Sequence, residues 1–570
     1  MNCRLWWKEN GKLVVPPNLT SGKFTQFAGD NINIKVETLD GKGMFNATQC
    51  AAFQYGDVDH DQDSSATSKD IGTQRSFGPS LPDDFHEIST SGHQRHTRPA
   101  PTFHLVDTEW YSPRRDFLRM AEAKDMAWIL CRLNDAEQHI PAWTGFNRVV
   151  SPYRSEVTTV GYMPIIPAPA DDMDTVYTVI SRCKLISEKL GQIYTVITFD
   201  QALYCRAKEL IWLHPEHFAN VIIRLGGFHT AMNFMKAIGQ YVEASGLKDV
   251  WVESGVFGEN STVHMLTGHA YNKAVRGHKL TFEALWRILW PQFEDWVSQN
   301  GKMLEESLRT KVDHVIKTFK DQESDEATRC FDELAVAASG ILDLLPEFDF
   351  SQKNCSTFTY WRHYMEMVVV LLGFIRAERE KNWELHLELF SRMLPYFSLY
   401  DHTNYARWGP VYLADMRNLA TTAPKVHDEF MAGKFSVKTT DSKFCQIPTD
   451  QALEHINRVA KVSGGIVGIT HQEAARDRWC LTYNERSRIA DDTLALYNLQ
   501  PTDSNDDFSH RDSGPAGIQR DETDVRCLVR EFRRFGVFSN RTENMVCLST
   551  GDVIPDDVRG LLSAEVKVLA

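Results

Sequence analysis

Several of the commonest signposts of function are missing from this chain of 570 residues. Its eleven cysteines are odd in number and none forms a C-x-x-C pair, so neither a disulfide framework nor a zinc ribbon can be read from them. They read as free thiols in a reducing compartment. Five N-x-S/T triplets, at Asn18, Asn46, Asn260, Asn354 and Asn540, come without a secretory leader and carry no implication of glycosylation. The longest apolar run, Met367 to Ile375, is too short to cross a bilayer. An excess of basic residues is also lacking: 62 Lys and Arg face 76 Asp and Glu, a net charge of −14. Proteins that grip DNA over a long surface are usually basic, because phosphate neutralisation supplies most of the affinity. The expectation is an intracellular protein with no membrane partner, nuclear or alternatively cytoplasmic, that on its own binds DNA weakly and without a sequence-reading motif.

What is present suits a folded protein of more than one domain. Hydrophobic residues make up 42 % and aromatics 11 %, enough to bury a sizeable core. Residues 1–56 read as two strands around the turn Asp40-Gly41-Lys42-Gly43, the first part of an α/β core. Residues 57–102 are Ser-, Asp-, Gly- and Pro-rich and read as a disordered loop outside the core. Over 103–261, helical and extended patterns alternate: strands at 157–166, 194–199 and 221–225, helices at 113–138, 171–190, 202–213 and 229–244. That alternation predicts a largely parallel sheet with flanking helices. Residues 262–433 have helical periodicity throughout and read as an all-helical insertion. The chain then returns to the core over 434–499, with a helix at 449–462 that Thr449 can cap. A polar linker at 500–525 and a small C-terminal unit at 526–570 complete the expected order. No internal repeat is evident.

Three segments carry acidic residues where chemistry is commonly placed. Asp30 follows the extended run Phe24 to Phe27, and Asp200 ends the apolar strand YTVITF. A carboxylate at a strand end is held by rigid backbone yet open to solvent, although aspartate also makes ordinary turns there. In the third segment Asp450, Glu454, Asn457 and Lys461 recur on one face of the 449–462 helix, beside an apolar stripe of Leu453, Ile456 and Ala460. Two strand-borne aspartates and a helical glutamate are a donor set suited to two-metal phosphoryl transfer, because Mg²⁺ prefers hard carboxylate oxygens. Asp450 is the rival for the third position. His264, His269 and His278 read as exposed histidines rather than metal ligands.

The run GDNINIKVETLDGKGMFNATQ resembles the first-Asp hairpin of transposon-derived proteins of animals and fungi that carry RNase H-like, DDE-type transposase cores, the Kyakuja-Dileera-Zisupton-related elements among them. TFDQALYCRAKELIW and IIRLGGFHTAMNFMKAIG are similar to their second-Asp strand and the helix after it. HTNYARWGPVYLADM and DQALEHINRVAK resemble their N-Y-A segment and E-H-x-N helix. The likeness spans residues 20–490. It implies an RNase H-like mixed sheet with a large helical insertion, and Asp30, Asp200 and Glu454 as catalytic and metal-binding carboxylates. It further implies Mg²⁺ or Mn²⁺ as cofactor, DNA as partner and a homo-oligomeric assembly. Asn33, His229, Asn233, Asp450, His455 and Asn457 take supporting places. Only 29 residues precede Asp30, leaving no room for the family's N-terminal DNA-binding domain, so the expectation is a truncated or domesticated transposase. The alternative is a catalytically idle interaction scaffold.

Overall fold

The computed structural model describes residues 18–35, 44–56, 88–93, 115–152, 157–440, 442–462, 479–480 and 511–538, with short pieces at 8–9, 12–13, 15–16, 552–553 and 555. Its sheet starts as a long hairpin. Thr25–Lys35 (β1) and Met44–Gln54 (β2) pair antiparallel along their whole length. Two helices follow, Arg115–Asn134 (α1) and Trp143–Val150 (α2), and then the edge strand Thr159–Tyr162 (β3), antiparallel to β2. Met173–Lys189 (α3) leads to Thr195–Phe199 (β4), and Gln201–Leu213 (α4) leads to Val221–Leu225 (β5). β4 lies parallel to β1, and β5 parallel to β4, so the order across the sheet is β3-β2-β1-β4-β5. The strand–helix–strand crossovers make the parallel pairs, as the alternation in sequence predicts.

From β5 onward the described elements are helical for two hundred residues. They are Gly227–Tyr241 (α5), Leu247–Glu253 (α6), Glu259–Leu266 (α7), Tyr271–Gln299 (α8), Leu308–Lys320 (α9), Ser324–Ser351 (α10), Ser356–Glu380 (α11), Trp383–Leu399 (α12), Thr403–Arg417 (α13), Leu419–Thr422 (α14) and Pro424–Met431 (α15). A two-residue ladder, Ser436–Val437 (β6) with Ile447–Pro448 (β7), turns the chain back to the sheet, and Thr449–Val462 (α16) follows at once. Pro515–Arg534 (α17) packs on α8. The described residues thus form a mixed α/β protein, mostly helical, with seventeen helices and one five-stranded mixed sheet.

Two features of the sheet decide where α16 lies. Strand side chains alternate between faces, so Gly29 and Cys50 meet α3, where Cys50 touches Cys183, while Ala28 and Ala51 face the other way. Ala28 and Ala51 are register partners and fully buried, and with Phe53 they pack against Ala452 and Leu453 of α16. Two alanines side by side let the helix approach the sheet closely. Arg224, the single charge in the apolar strand VIIRL, pins the returning chain. It is buried, donates to Gln26 Oε1 at 3.0 Å and to the Phe435 carbonyl at 2.7 Å, and lies over the rings of Trp383, Phe430 and Phe435.

The structure departs from the sequence reading at several points. The 500–525 linker is partly helix: α17 runs across its boundary with the C-terminal unit. Its polar residues made it look like linker, but they are spent on fixed partners. Asp521 and Asp524 bind Arg276, and Glu522 binds Arg132 and Arg287. His278 is fully buried in α8, not exposed. It bonds the Tyr364 hydroxyl at 2.9 Å, and burial pushes its imidazole down to about 3. Most of the 57–102 loop lies outside the described residues. The piece 88–93 is held on α3 and α4, because Ser91 N–H donates to Asp174 and His214 Nε2 donates to the Ser91 carbonyl.

Candidate functional site

Asp30 is not at a strand end, as the sequence suggested, but in the middle of β1. What ends beside it is the pairing with β4, whose last register pair is Gly29 with Phe199. The next residues along these two parallel strands are Asp30 and Asp200. Neighbouring strands lie about 5 Å apart, so the register alone sets the two aspartates side by side. Asp200 leaves the strand at that point and caps α4, its Oδ1 accepting from Leu203 N–H at 2.8 Å. Asp30 shares the face of Ala28, beneath α16, and is buried. Its Oδ1 accepts from Asn31 N–H at 2.7 Å.

Glu454 arrives from above. Ala452 and Leu453 anchor α16 on the sheet, and Glu454, one residue on, comes within hydrogen-bonding reach of Asp30. Two carboxyl groups in contact hold a proton between them most readily when one is neutral. Burial pushes Asp30 well above the ordinary aspartate range, and the charges of Asp200 and Glu454 push it further, against the pull of His229. Asp200 is also raised, again mainly by burial, with Asp450 adding to the effect while the Leu203 amide and His229 oppose it.

His229 is the cation of the cluster. Burial works against its charged form, but the hydrogen bond and charge of Asp450, together with Asp30 and Asp200, raise it to about 9. Asp450 is held by His229 and by the start of α5. Its Oδ2 meets His229 Nδ1 at 3.0 Å and accepts from His229 N–H at 3.0 Å, while Oδ1 accepts from Phe228 N–H at 3.1 Å. These are the free amides at the start of α5, where a negative charge is favoured. Burial would raise Asp450, yet these bonds hold its carboxyl below the usual range.

The glycines of LGGFH now have a reason. A Cβ on Gly226 would stand 2.2 Å from Asp450 Oδ2, and one on Gly227 would stand 2.8 Å from Glu378 Oε1. Gly226 has φ −66°, open to any residue, so the constraint is space and not backbone conformation. Gly226→Ala should therefore lower stability by about 1–3 kcal/mol, the usual cost of overpacking. Urea denaturation measures this, and a change within about 0.5 kcal/mol would show that Asp450 can move aside.

The remaining candidates divide. Asn233 donates to the His229 carbonyl at 2.9 Å and meets His402 Nδ1 at 3.2 Å. Asn457, one turn beyond Glu454, is buried with neither its oxygen nor its nitrogen partnered among the described residues. Asn33 and His455 are exposed, and Asn33 alternates to the face opposite Asp30, so neither joins the cluster. Tyr405 was missed. It is buried beside Thr230 and Asn233 and near Asp450 and Asp200, its hydroxyl without a hydrogen-bond partner among the described residues, and burial holds that hydroxyl far above the usual tyrosine range. The N-Y-A segment contains it, but only the packing of α13 on α5 and α4 brings it here.

Among the described residues, no three His, Cys, Asp or Glu side chains stand where they could hold a metal ion together. The donor chemistry nonetheless suits a hard divalent cation: crowded carboxyl oxygens, two of them raised, whose mutual repulsion a cation would relieve. No helix among the described residues is long and apolar enough to cross a membrane. The chain matches no curated protein and no solved structure. A family model does match, from the end of α1's following loop to the C-terminal region, and takes in Asp200, His229, Asp450 and Glu454 but not Asp30. Because residues 142–567 fit that model, which is more than half of the chain, the protein belongs to the family described as a domain of unknown function, DUF8702.

Proposed function

We propose that the chain is an RNase H-like, DDE-type transposase relative, in which Asp30, Asp200 and Glu454 hold Mg²⁺ or Mn²⁺ for cleavage or transfer of a DNA strand. The observation that carries this reading is the placement of Asp30 and Asp200 one step beyond the last register pair of adjacent parallel strands, with Glu454 lowered onto Asp30 by a helix that follows a long helical insertion. A five-stranded sheet in which the second strand alone runs antiparallel is the sheet expected of an RNase H-like core, and the order β3-β2-β1-β4-β5 agrees with it. A bound divalent cation supplies charge neutralisation for a phosphodiester and for the oxygen that leaves it. His229, held charged by Asp450, would contact a phosphate oxygen at the edge of the cluster.

A second reading has its own support. The acidic net charge and the absence of a three-ligand group among the described residues favour a scaffold that keeps the fold without the chemistry. One experiment separates them: a Mn²⁺-dependent nicking and strand-transfer assay on the purified chain, with Asp200→Ala and Glu454→Gln alongside. The enzyme reading expects metal-dependent product that falls at least 100-fold in both variants. No product with Mn²⁺ or Mg²⁺, or product equal in all three proteins, leaves the scaffold standing.

A further inference from the structure

We propose that the helical part of the molecule contains a binding site for a small amphipathic organic cation, an amine on an apolar body, in a cavity between α1, α8, α10, α11 and α12 with Glu122 as its anion. The cavity measures about 690 Å³, within the span of small-molecule sites. Pro346 and Pro395 both line it, and each sits inside a helix, α10 and α12, where it interrupts the hydrogen-bond ladder and keeps the bundle from closing. None of the lining residues belongs to the Asp30 cluster.

The wall is largely apolar and aromatic, with Phe282, Trp286, Val369 and Tyr396 exposing carbon and ring faces. Its charged groups are mostly satisfied by one another. Arg362 grips Asp349 with bonds of 2.8 and 2.9 Å, Glu366 pairs with His363, and Arg392 with Glu388. Asp125 Oδ1 is taken by Arg376 and the Trp143 indole, while its Oδ2 has no partner among the described residues. Glu122 is different, with no hydrogen bond or ion pair among the described residues. Burial raises its carboxyl to about 7, with Arg392 opposing, Asp125 and Glu366 adding to the effect and Arg119 opposing. An unpaired carboxyl in such a wall costs free energy that an entering cation offsets. The ring of Tyr396 favours a cation as well, while Trp286 already carries the Arg362 guanidinium over its ring at 5.6 Å. Among the described residues, each cationic side chain of the wall already faces a carboxylate, so an anion finds no unpaired positive group.

Titration calorimetry on the full chain at pH 8, where Glu122 is ionised, tests the assignment with two probes that share an indole body, tryptamine and indole-3-propionate. Tryptamine should bind once per chain and at least tenfold tighter than the propionate, the scale of one charge-assisted hydrogen bond. Glu122→Gln should weaken tryptamine about tenfold without loss of folding, since it removes an unpaired charge. Lowering the pH to 6 should weaken it too, as Glu122 takes up its proton. Leu342→Trp, which fills the cavity, should abolish binding. No tryptamine binding, equal binding of the two probes, or unchanged binding to Glu122→Gln overturns the proposal.

Discussion

Asp450→Ala should destabilise the protein by about 3 kcal/mol, the range for removing one member of a buried ion pair together with a helix cap. The carboxylate has three partners: the His229 ring and the amides of Phe228 and His229. Removing it leaves α5 uncapped and strips His229 of the contact that keeps it charged. His229 has one edge open to water, its side chain 24 % exposed, which holds the loss toward the lower end of the range. The pH dependence has a definite sign. His229 is raised to about 9, so its contribution is fully present below the ordinary histidine range and fades as pH rises through 9. Asp450 is depressed, so its contribution is present above the ordinary aspartate range and fades only as pH falls through the lowered value. Guanidinium unfolding between pH 6 and pH 10 should show parent stability declining toward alkaline pH, with that decline missing from Asp450→Ala. A variant within 1 kcal/mol of the parent at pH 6 would show that the pair is ornamental.

Asp30→Asn should act in the opposite direction on stability. The carboxyl is buried beside two others, and burial first, then Asp200, raise it well above the ordinary range. A raised acid binds protons more tightly when folded, so its contribution is present at low pH and is lost as pH rises from the ordinary aspartate value through the raised one. At neutral pH the group therefore strains the fold, and an amide of equal size should add about 0.5–2 kcal/mol, as at sites where function and stability conflict. The same change should remove divalent-ion binding. Thermal melts with and without Mn²⁺ read both effects at once. The parent should gain stability from Mn²⁺, and Asp30→Asn should start higher and gain nothing. If the variant melts lower than the parent, Asp30 is a structural residue and the crowded carboxyls have some other origin.

Much of the local structure was legible because it depends on near neighbours in the chain. The strands ending at Phe199 and Leu225 and the helix from Thr449 follow from apolar periodicity and turn residues. The same periodicity places Asp450, Glu454 and Asn457 on one helix face. It says nothing of their different fates. Glu454 meets a carboxyl, Asp450 meets an imidazole and two amides, and Asn457 is buried without a partner among the described residues. Two of the misreadings share a cause. His278 looked exposed and α17 looked like linker because a polar residue carries no mark of its partner. Tyr364, Arg276, Arg132 and Arg287 lie far away in sequence.

By itself, then, the sequence determined which residues are acidic, most of the strands and helices of the core, and which side of each is apolar, since all of these act over a few residues. Tertiary structure alone decided that Asp30 stands beside Asp200, because that depends on the parallel register of β1 against β4 across a long loop. It alone decided that Glu454 reaches them, through the two small residues Ala28 and Ala51 that admit α16. And it alone made Asp450 a cap and a counter-charge, because a carboxylate's role is set by the donors that surround it, and here those donors come from the start of α5.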